Sequence, residues 1–379
     1  MKYCALCVQP DTRPGIVIGE DGVCNACIQH RNRPQIDWET RRLEFEAMLQ
    51  KFRGRGVEGF DCLIPVSGGK DSIYQVFKMK YEYGMNPLCV TYRTPLRTEL
   101  GQKNLNALIN MNVMHLDVSF PLDVERRLLV KTMEEEGSAG IPCHMGLLSV
   151  ALKTAIRYKI QLVVWGENAA QEYGGTVSDA KNPYMDRNWC LKYGCLQNRE
   201  PMSYQCETIS ERDLIPYDLP SDQELKDSRI AAIFLGHFFP WDPVENYRLA
   251  QKMGFSKRSS GSVLGLYDFA DLDCHLIPIH HFTKWYKFGI GRTFDNASVE
   301  IRNGRMSREE AINKIRNHRD IAWKENVDAL CEFIGWDFSK FQACMRSFAN
   351  PALWRPTAEG LVMDGFITGE KIVDTSLYE

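Results

Sequence analysis

The amino-acid sequence predicts an α/β protein: a parallel sheet covered by helices, preceded by a small cysteine-rich module and followed by a mainly helical region. Three observations carry this expectation. Short apolar runs alternate with helical stretches between residues 61 and 236, as in successive βαβ units. The run Ser67-Gly-Gly-Lys-Asp-Ser72 stands where the first strand gives way to a helix. Two Cys-x2-Cys pairs, Cys4/Cys7 and Cys24/Cys27, fall within the first thirty residues.

Residues 1–33 are rich in Cys, Gly and Pro and show no amphipathic period, so the module needs something other than a core to hold it. The two cysteine pairs have the spacing of two knuckles offering four thiolates tetrahedrally to zinc. Four protein ligands close the site to substrate, which makes it structural; an iron–sulfur cluster is the alternative. Pro34 opens a linker, and a charged helix is expected from Trp38 to about Phe52, ended by Gly54 to Gly59.

The first strand is expected over Asp61 to Ser67. It is short and continuously apolar, as in a strand buried on both faces, and Pro65 places it near the sheet's carboxyl end. A helix from about Asp71 to Tyr83 follows, then strands at Pro87–Arg93 and Val113–Val118 around a helix near Leu100–Met111. Helices at Leu122–Glu136 and Met145–Tyr158 precede a strand at Gln161–Trp165 that ends in Gly166-Glu167-Asn168. Residues 171–230 read as an insertion with helices, Ala231–Gly236 as a further strand, and 254–266 as a mobile Gly/Ser/basic loop. Ser307-Arg-Glu-Glu310 has the spacing of a capping box and starts a helix expected to run to about His318. The expected division is 1–33, 34–240 and 241–379.

The chain has 379 residues, 44% hydrophobic and 25% charged, with a formal charge of −3 and a pI of about 6.3. No global field attracts polyanions, which counts against a dedicated nucleic-acid binder. No apolar run is long enough to cross a bilayer and the first residues, Met-Lys-Tyr-Cys, lack a signal pattern, so a cytoplasmic location is expected.

The chemistry concentrates at Ser67–Ser72. Gly68 and Gly69 let backbone N–H groups approach an anion, the following helix adds further donors and a partial positive charge, and Ser67, Ser72 and Lys70 supply hydroxyls and a full charge. Asp71 repels phosphate and is better suited to magnesium on a pyrophosphate leaving group. The spacing is not that of a Walker loop. Elsewhere, Cys143, Cys190, Cys195 and Cys206 match no metal-site spacing and read as free thiols, although Cys143-His144 is a candidate nucleophile pair at a helix start.

The loop resembles the SGGxDS motif of the N-type ATP pyrophosphatases, the PP-loop superfamily, which implies ATP as cofactor and adenylation with loss of pyrophosphate. Further stretches are similar to the N-acetyl sugar amidotransferases of bacterial surface-polysaccharide biosynthesis: the cysteine pairs, Pro142–Gly146, Trp165–Asn168 with Glu172–Gly174, Phe239–Asp242, and Phe288–Asp295 running into Glu300–Glu310. The resemblance covers nearly the whole chain except 176–230. It implies conversion of an acetamido group on a nucleotide-linked sugar into an acetamidino group. AMP turns the amide oxygen into a leaving group and ammonia displaces it.

No glutaminase nucleophile or triad is apparent in the chain. The resemblance therefore implies a glutaminase partner and a barrel-shaped ammonia-channel subunit similar to those of histidine biosynthesis. On the substrate side, Glu167 and Asn168 are expected to face the amide, with a helix cap as the alternative role. Arg292, Arg302 and Arg305 fit phosphates of substrate or ATP, with Asp295 positioning one of them, and Lys257 and Arg258 are candidates for closing over them. Two other readings remain: a tRNA-modifying enzyme of the same superfamily, and a non-catalytic subunit with a relic loop.

Overall fold

Five parallel strands form the central sheet of the computed structural model, which describes residues 1–262, 264–317, 324–358 and 360–374. They are β1 (Cys62–Pro65), β2 (Pro87–Tyr92), β3 (Met114–Val118), β4 (Leu162–Trp165) and β5 (Ala231–Phe234), in the order β3-β2-β1-β4-β5. Each falls within the run expected from the sequence. Pro65 is the last residue of β1, where its missing N–H does not interrupt the ladder.

Strand side chains alternate between two cores. Leu63, Leu88, Val90 and Val163 face one, closed by the helices Leu122–Glu136 and Ile141–Arg157 and by the 171–230 insertion. Cys62, Ile64, Cys89, Leu162 and Val164 face the other, closed by the helices Trp38–Leu49, Lys70–Val76, Glu99–Ile109 and Pro243–Lys252. Burial on both faces accounts for the continuously apolar sequence of β1, and in β2 the one buried polar side chain other than Tyr92, Thr91, donates to the Val66 carbonyl.

The helix Ile141–Arg157 begins a turn earlier than Met145, with Pro142 in its first turn, so Cys143 and His144 sit at its amino end. The insertion is a chain of short helices, as expected. Among the described residues the tail contains five helices from Leu276 onward, but it also has a three-stranded antiparallel sheet of β6 (Trp354–Thr357), β7 (Gly360–Met363) and β8 (Ile372–Asp374), which was not expected. The capping box forms: Ser307 N–H donates to Glu310 Oε2 (2.7 Å) and Glu310 N–H to Ser307 Oγ (3.1 Å). Its helix is Arg308–Asn317, and His318 lies outside the described residues. Among the described residues no helix is long and apolar enough to cross a membrane.

Candidate active site

The chain leaves β1 for β2 on one side and returns to β4 on the other, so the strand order reverses at the β1/β4 boundary, and this is where open parallel sheets bind ligands. Ser67 follows β1 and Glu167 follows β4, so both stand at the mouth of that crevice.

The loop is built from its own sequence. Gly68 has φ +86°, and a Cβ there would lie 2.5 Å from Leu105 N, so only glycine fits against the helix Glu99–Ile109. Ser72 Oγ accepts from Ser67 N–H (3.1 Å), and Ser67 Oγ accepts from Gly69 N–H (3.2 Å). Gly69 caps the helix Lys70–Val76 without a side chain, leaving the first-turn N–H groups open to an anion. Lys70 Nζ reaches Asp71 Oδ2 at 2.5 Å, while the buried Asn246 donates to Asp71 Oδ1 at 2.9 Å. That second contact fixes the carboxylate from the neighbouring helix Pro243–Lys252.

Glu167 shares this space. Burial, reinforced by the charges of Asp71 and Glu172, pushes its carboxyl up to about 7. Two carboxylates that repel one another beside a lysine form a donor set suited to a divalent cation. Asn168 behaves differently. Its Oδ1 caps Ala170 N–H (3.0 Å) and accepts from Trp189 Nε1 (3.2 Å), and its Nδ2 donates to the Asp179 carbonyl (2.9 Å). The capping alternative describes it: Asn168 ties down the insertion and has no free group for an amide.

Across the crevice stands a buried charge network. Arg292 Nε donates to Asp271 (2.9 Å) and its Nη1 lies 3.8 Å from Asp295. Asp295 also accepts from Gln9 Nε2 and Arg13 Nε, both at 2.9 Å. Burial alone would raise the Asp295 pKa, but Arg13, Lys284 and Arg292 hold it well below the usual range. Arg13 continues to the Tyr173 carbonyl at 2.9 Å, joining this network to the segment after Glu167.

Cys143 and His144 diverge. Cys143 hydrogen-bonds Cys274, and that contact with burial keeps its thiol protonated. His144 donates from Nδ1 to the Gly140 carbonyl (2.7 Å) and its ring meets Cys195 from the insertion, so the expected Cys143-His144 pair is replaced by Cys195-His144. Nothing local in the sequence pairs residues 144 and 195. The folded insertion does so.

In the amino-terminal module the four cysteine sulfurs lie within 4.8 Å of one another and are buried. The Cys4–Cys27 and Cys7–Cys24 separations are 4.0 and 3.7 Å. Tetrahedral zinc with Zn–S of about 2.3 Å requires about 3.8 Å between sulfurs, so the residues fit the ion as they stand.

Comparison with known proteins adds a family to this geometry. Residues 236–364 match the family model described as LPS biosynthesis protein WbpG-like, C-terminal domain. That match spans 129 of the 379 residues. An uncharacterized protein of Methanocaldococcus jannaschii is 30% identical over 88 residues, 23% of this chain and 31% of that protein, so the chain matches about a third of its curated relative. The structure of NMN synthetase from Francisella tularensis superposes with a TM-score of 0.27 at 14% identity, over 57% of this chain and 94% of that one.

The WbpG-like domain supplies Asn246, Asp271, Lys284, Arg292 and Asp295 to the crevice, but two of its arginines are placed otherwise than expected. Arg302 is buried, donates to the Glu172 carbonyl (3.0 Å), and faces the thiolates of Cys7, Cys24 and Cys27. Its Nη1 has no hydrogen-bond partner. A zinc tetrathiolate there would carry two net negative charges, which that guanidinium would offset in part. Arg305 is bound through Nε and Nη2 to Glu300 (2.7 and 2.8 Å) and through Nη1 to Asp242 (2.5 Å), leaving no free face for phosphate. Lys257 pairs with Asp268 at 2.6 Å and Arg258 with Ser260.

Proposed function

We propose that the chain is an ATP pyrophosphatase-type amidotransferase of surface-glycan biosynthesis. It adenylates the acetamido oxygen of a nucleotide-linked N-acetyl sugar and replaces it with ammonia, giving an acetamidino sugar for lipopolysaccharide O-antigen or a related glycan. The observation that carries this reading is the placement of Ser67–Ser72 and Glu167 at one crevice of the parallel sheet, faced by a domain of the WbpG-like type.

ATP lies with its phosphates on the Gly68, Gly69 and Lys70 backbone and on the Lys70 ammonium. Asp71 and Glu167 would hold magnesium, which would neutralise the charge of the pyrophosphate leaving group. Arg292, held by Asp271, presents the positive wall to the substrate. Ammonia comes from a partner glutaminase through a barrel-type channel subunit, since this chain has no glutaminase domain in its described residues. Zinc in the Cys4 module is structural.

The test is pyrophosphate release from ATP by the purified chain with ammonium chloride, using a panel of UDP- and CMP-linked N-acetyl sugars and bulk tRNA. Sugar-dependent release of AMP and pyrophosphate supports the proposal and identifies the carrier. Release that depends on tRNA overturns it in favour of a base-modifying enzyme.

A further inference from the structure

Outside the phosphate loop, one cluster of reactive side chains remains without a role. Cys195 reaches the rings of His144 and His280 through its sulfur. The three come from three separate segments: the insertion, the first turn of Ile141–Arg157, and the helix Leu276–Phe288 of the WbpG-like domain. The two imidazole centroids are 5.8 Å apart. His144 uses Nδ1 on the Gly140 carbonyl (2.7 Å), so its Nε2 is the atom left for the sulfur. His280 Nδ1 lies 3.4 Å from Ser138 Oγ, and its ring packs so tightly on Gly140 that a Cβ there would fall 2.5 Å away.

The cluster borders the crevice on two sides. One turn beyond His280, Lys284 is coupled both to Cys195 and to Asp295 of the charge network. Immediately before His144, Cys143 contacts Cys274, which adjoins Asp273, and Asp273 hydrogen-bonds Ser67 of the phosphate loop. Cys195 is partly covered.

The electrostatics agree with this geometry. Burial would raise the Cys195 pKa, but the positive charge and hydrogen bond of His144, with the hydrogen bond of His280, hold it well below the ordinary thiol range. Burial would likewise lower His144, yet the Cys195 thiolate and the Gly140 carbonyl push it up to about 8. His280 goes the other way, lowered to about 4 by burial and by Lys284, and stays neutral at pH 7.

We infer that Cys195, paired with His144 and flanked by His280 beside the phosphate loop, is a nucleophile that carries the substrate carbon between adenylation and amination. This rests on the amidotransferase reading above. The Cys195 sulfur attacks the carbon bearing the adenylate, a C–S bond forms, and the C–O bond to AMP breaks with the electron pair leaving on AMP. Ammonia attacks the resulting thioimidate carbon, a C–N bond forms, and the C–S bond breaks to restore the thiolate. The proton lost by the entering nitrogen passes to the neutral His280 ring and on to solvent. Splitting the displacement in two lets AMP depart before ammonia arrives, which suits an ammonia supply delivered by a partner.

Two measurements test this. The first needs no substrate: the full chain is alkylated with iodoacetamide at pH 6.5 and the peptides are followed by mass. Cys195 is expected to react before the exposed Cys206, and His144→Asn to slow its labelling by about tenfold, the thiolate-fraction loss softened by the greater intrinsic nucleophilicity of a less acidic thiol. Labelling of Cys206 first, or no effect of His144→Asn, overturns the inference.

The second uses ATP with the UDP- and CMP-linked sugars in the absence of ammonia. A Cys195 peptide carrying the sugar nucleotide less one water is expected. Cys195→Ala should still release pyrophosphate but form amidine at least about a hundredfold more slowly, as loss of a covalent nucleophile requires. Cys206→Ser serves as the neutral thiol control. Amidine formed by Cys195→Ala at the wild-type rate overturns the inference and leaves the amidotransferase reading standing. Absence of pyrophosphate release with every sugar overturns that reading, and with it this use of Cys195, whatever the alkylation shows.

Discussion

Gly68→Ala isolates what the phosphate loop demands of its backbone. The residue sits at φ +86°, and an added Cβ would lie 2.5 Å from Leu105 N and 2.7 Å from Leu105 Cα, both atoms of a helix that cannot swing aside like a side chain. The left-handed conformation costs an L-residue about 1–2 kcal/mol. Forcing the methyl against the helix adds about 1–3 kcal/mol, and reduced freedom of the unfolded chain returns somewhat less than 1 kcal/mol. The net loss is about 2–4 kcal/mol, read as a lower urea midpoint at unchanged slope. Gly69→Ala is the matched control. Its φ is −64° and its only close neighbour would be Ser67 Oγ at 3.2 Å, so stability should move by less than about 1 kcal/mol. It nevertheless puts a methyl where an anion must approach the helix N–H groups, so pyrophosphate release should fall by about tenfold or more. A Gly68→Ala protein as stable as wild type would refute the packing of the loop on Leu105, and a fully active Gly69→Ala would refute its use as a phosphate cradle.

Three further perturbations follow from named contacts. Asn246→Ala removes the 2.9 Å hydrogen bond to Asp71, and ATP-dependent pyrophosphate release should drop about tenfold with a stability loss of about 1–3 kcal/mol; unchanged turnover would show that Asp71 needs no fixing. Stripping the metal with a strong chelator should release about one zinc ion per chain and speed hydrogen exchange at 172–175, because Arg13, Asn25, Gln29 and Arg33 of the module all bind backbone or side chain there; protection unaltered by metal loss would separate module from site. The buried Glu125, hydrogen-bonded by Tyr92 at 2.5 and 2.7 Å, is raised by burial from an ordinary 4.5 to about 7, so its protonated form favours the fold. That contribution is complete below about pH 4.5 and lost as pH rises through about 7, and Glu125→Gln should therefore stabilise the protein by up to about 3 kcal/mol at pH 8 relative to its effect at pH 5, measured by urea unfolding.

The sequence was most informative where chemistry and position are fixed locally. The central strands are legible because short, mostly apolar runs alternate with helical stretches, and β1 is continuously apolar because it is buried on both faces, whereas the phosphate loop is legible because two glycines, a lysine and an aspartate at a strand–helix junction have few other uses. Two Cys-x2-Cys pairs likewise announce their own geometry. The tail sheet escaped because its strands are three or four residues long and one contains Pro356, too short for alternation to show. The arginines escaped for another reason. Arg302 and Arg305 stand three residues apart beside Arg292 in sequence, but partners drawn from the cysteine module and from Glu300 and Asp242 decide their roles, and those partners are set only by the folded chain. Cys195 is the same case: its meaning depends on His144 and His280, fifty-one positions before it and eighty-five after it.

These long-range partnerships argue that the three sequence divisions do not act separately at the site. Asp295, 2% exposed in the WbpG-like domain, is paired with Arg13 and Gln9 of the cysteine module, and Arg13 also holds the Tyr173 carbonyl after Glu167. Arg308, again from the WbpG-like domain, donates to the Cys4 and Cys7 carbonyls at 3.3 and 3.1 Å, while Arg302 faces the cysteine sulfurs. Withdrawing one member leaves a buried charge unpaired, which costs about 3–5 kcal/mol, a large share of a stability of about 5–15 kcal/mol. An excised 236–364 segment would have to bury Asp295 without Arg13 and Arg302 without thiolates. The charge pairing thus ties the segment matched by the family model to the amino-terminal module and, through Arg13 and the Tyr173 carbonyl, to the chain that follows Glu167.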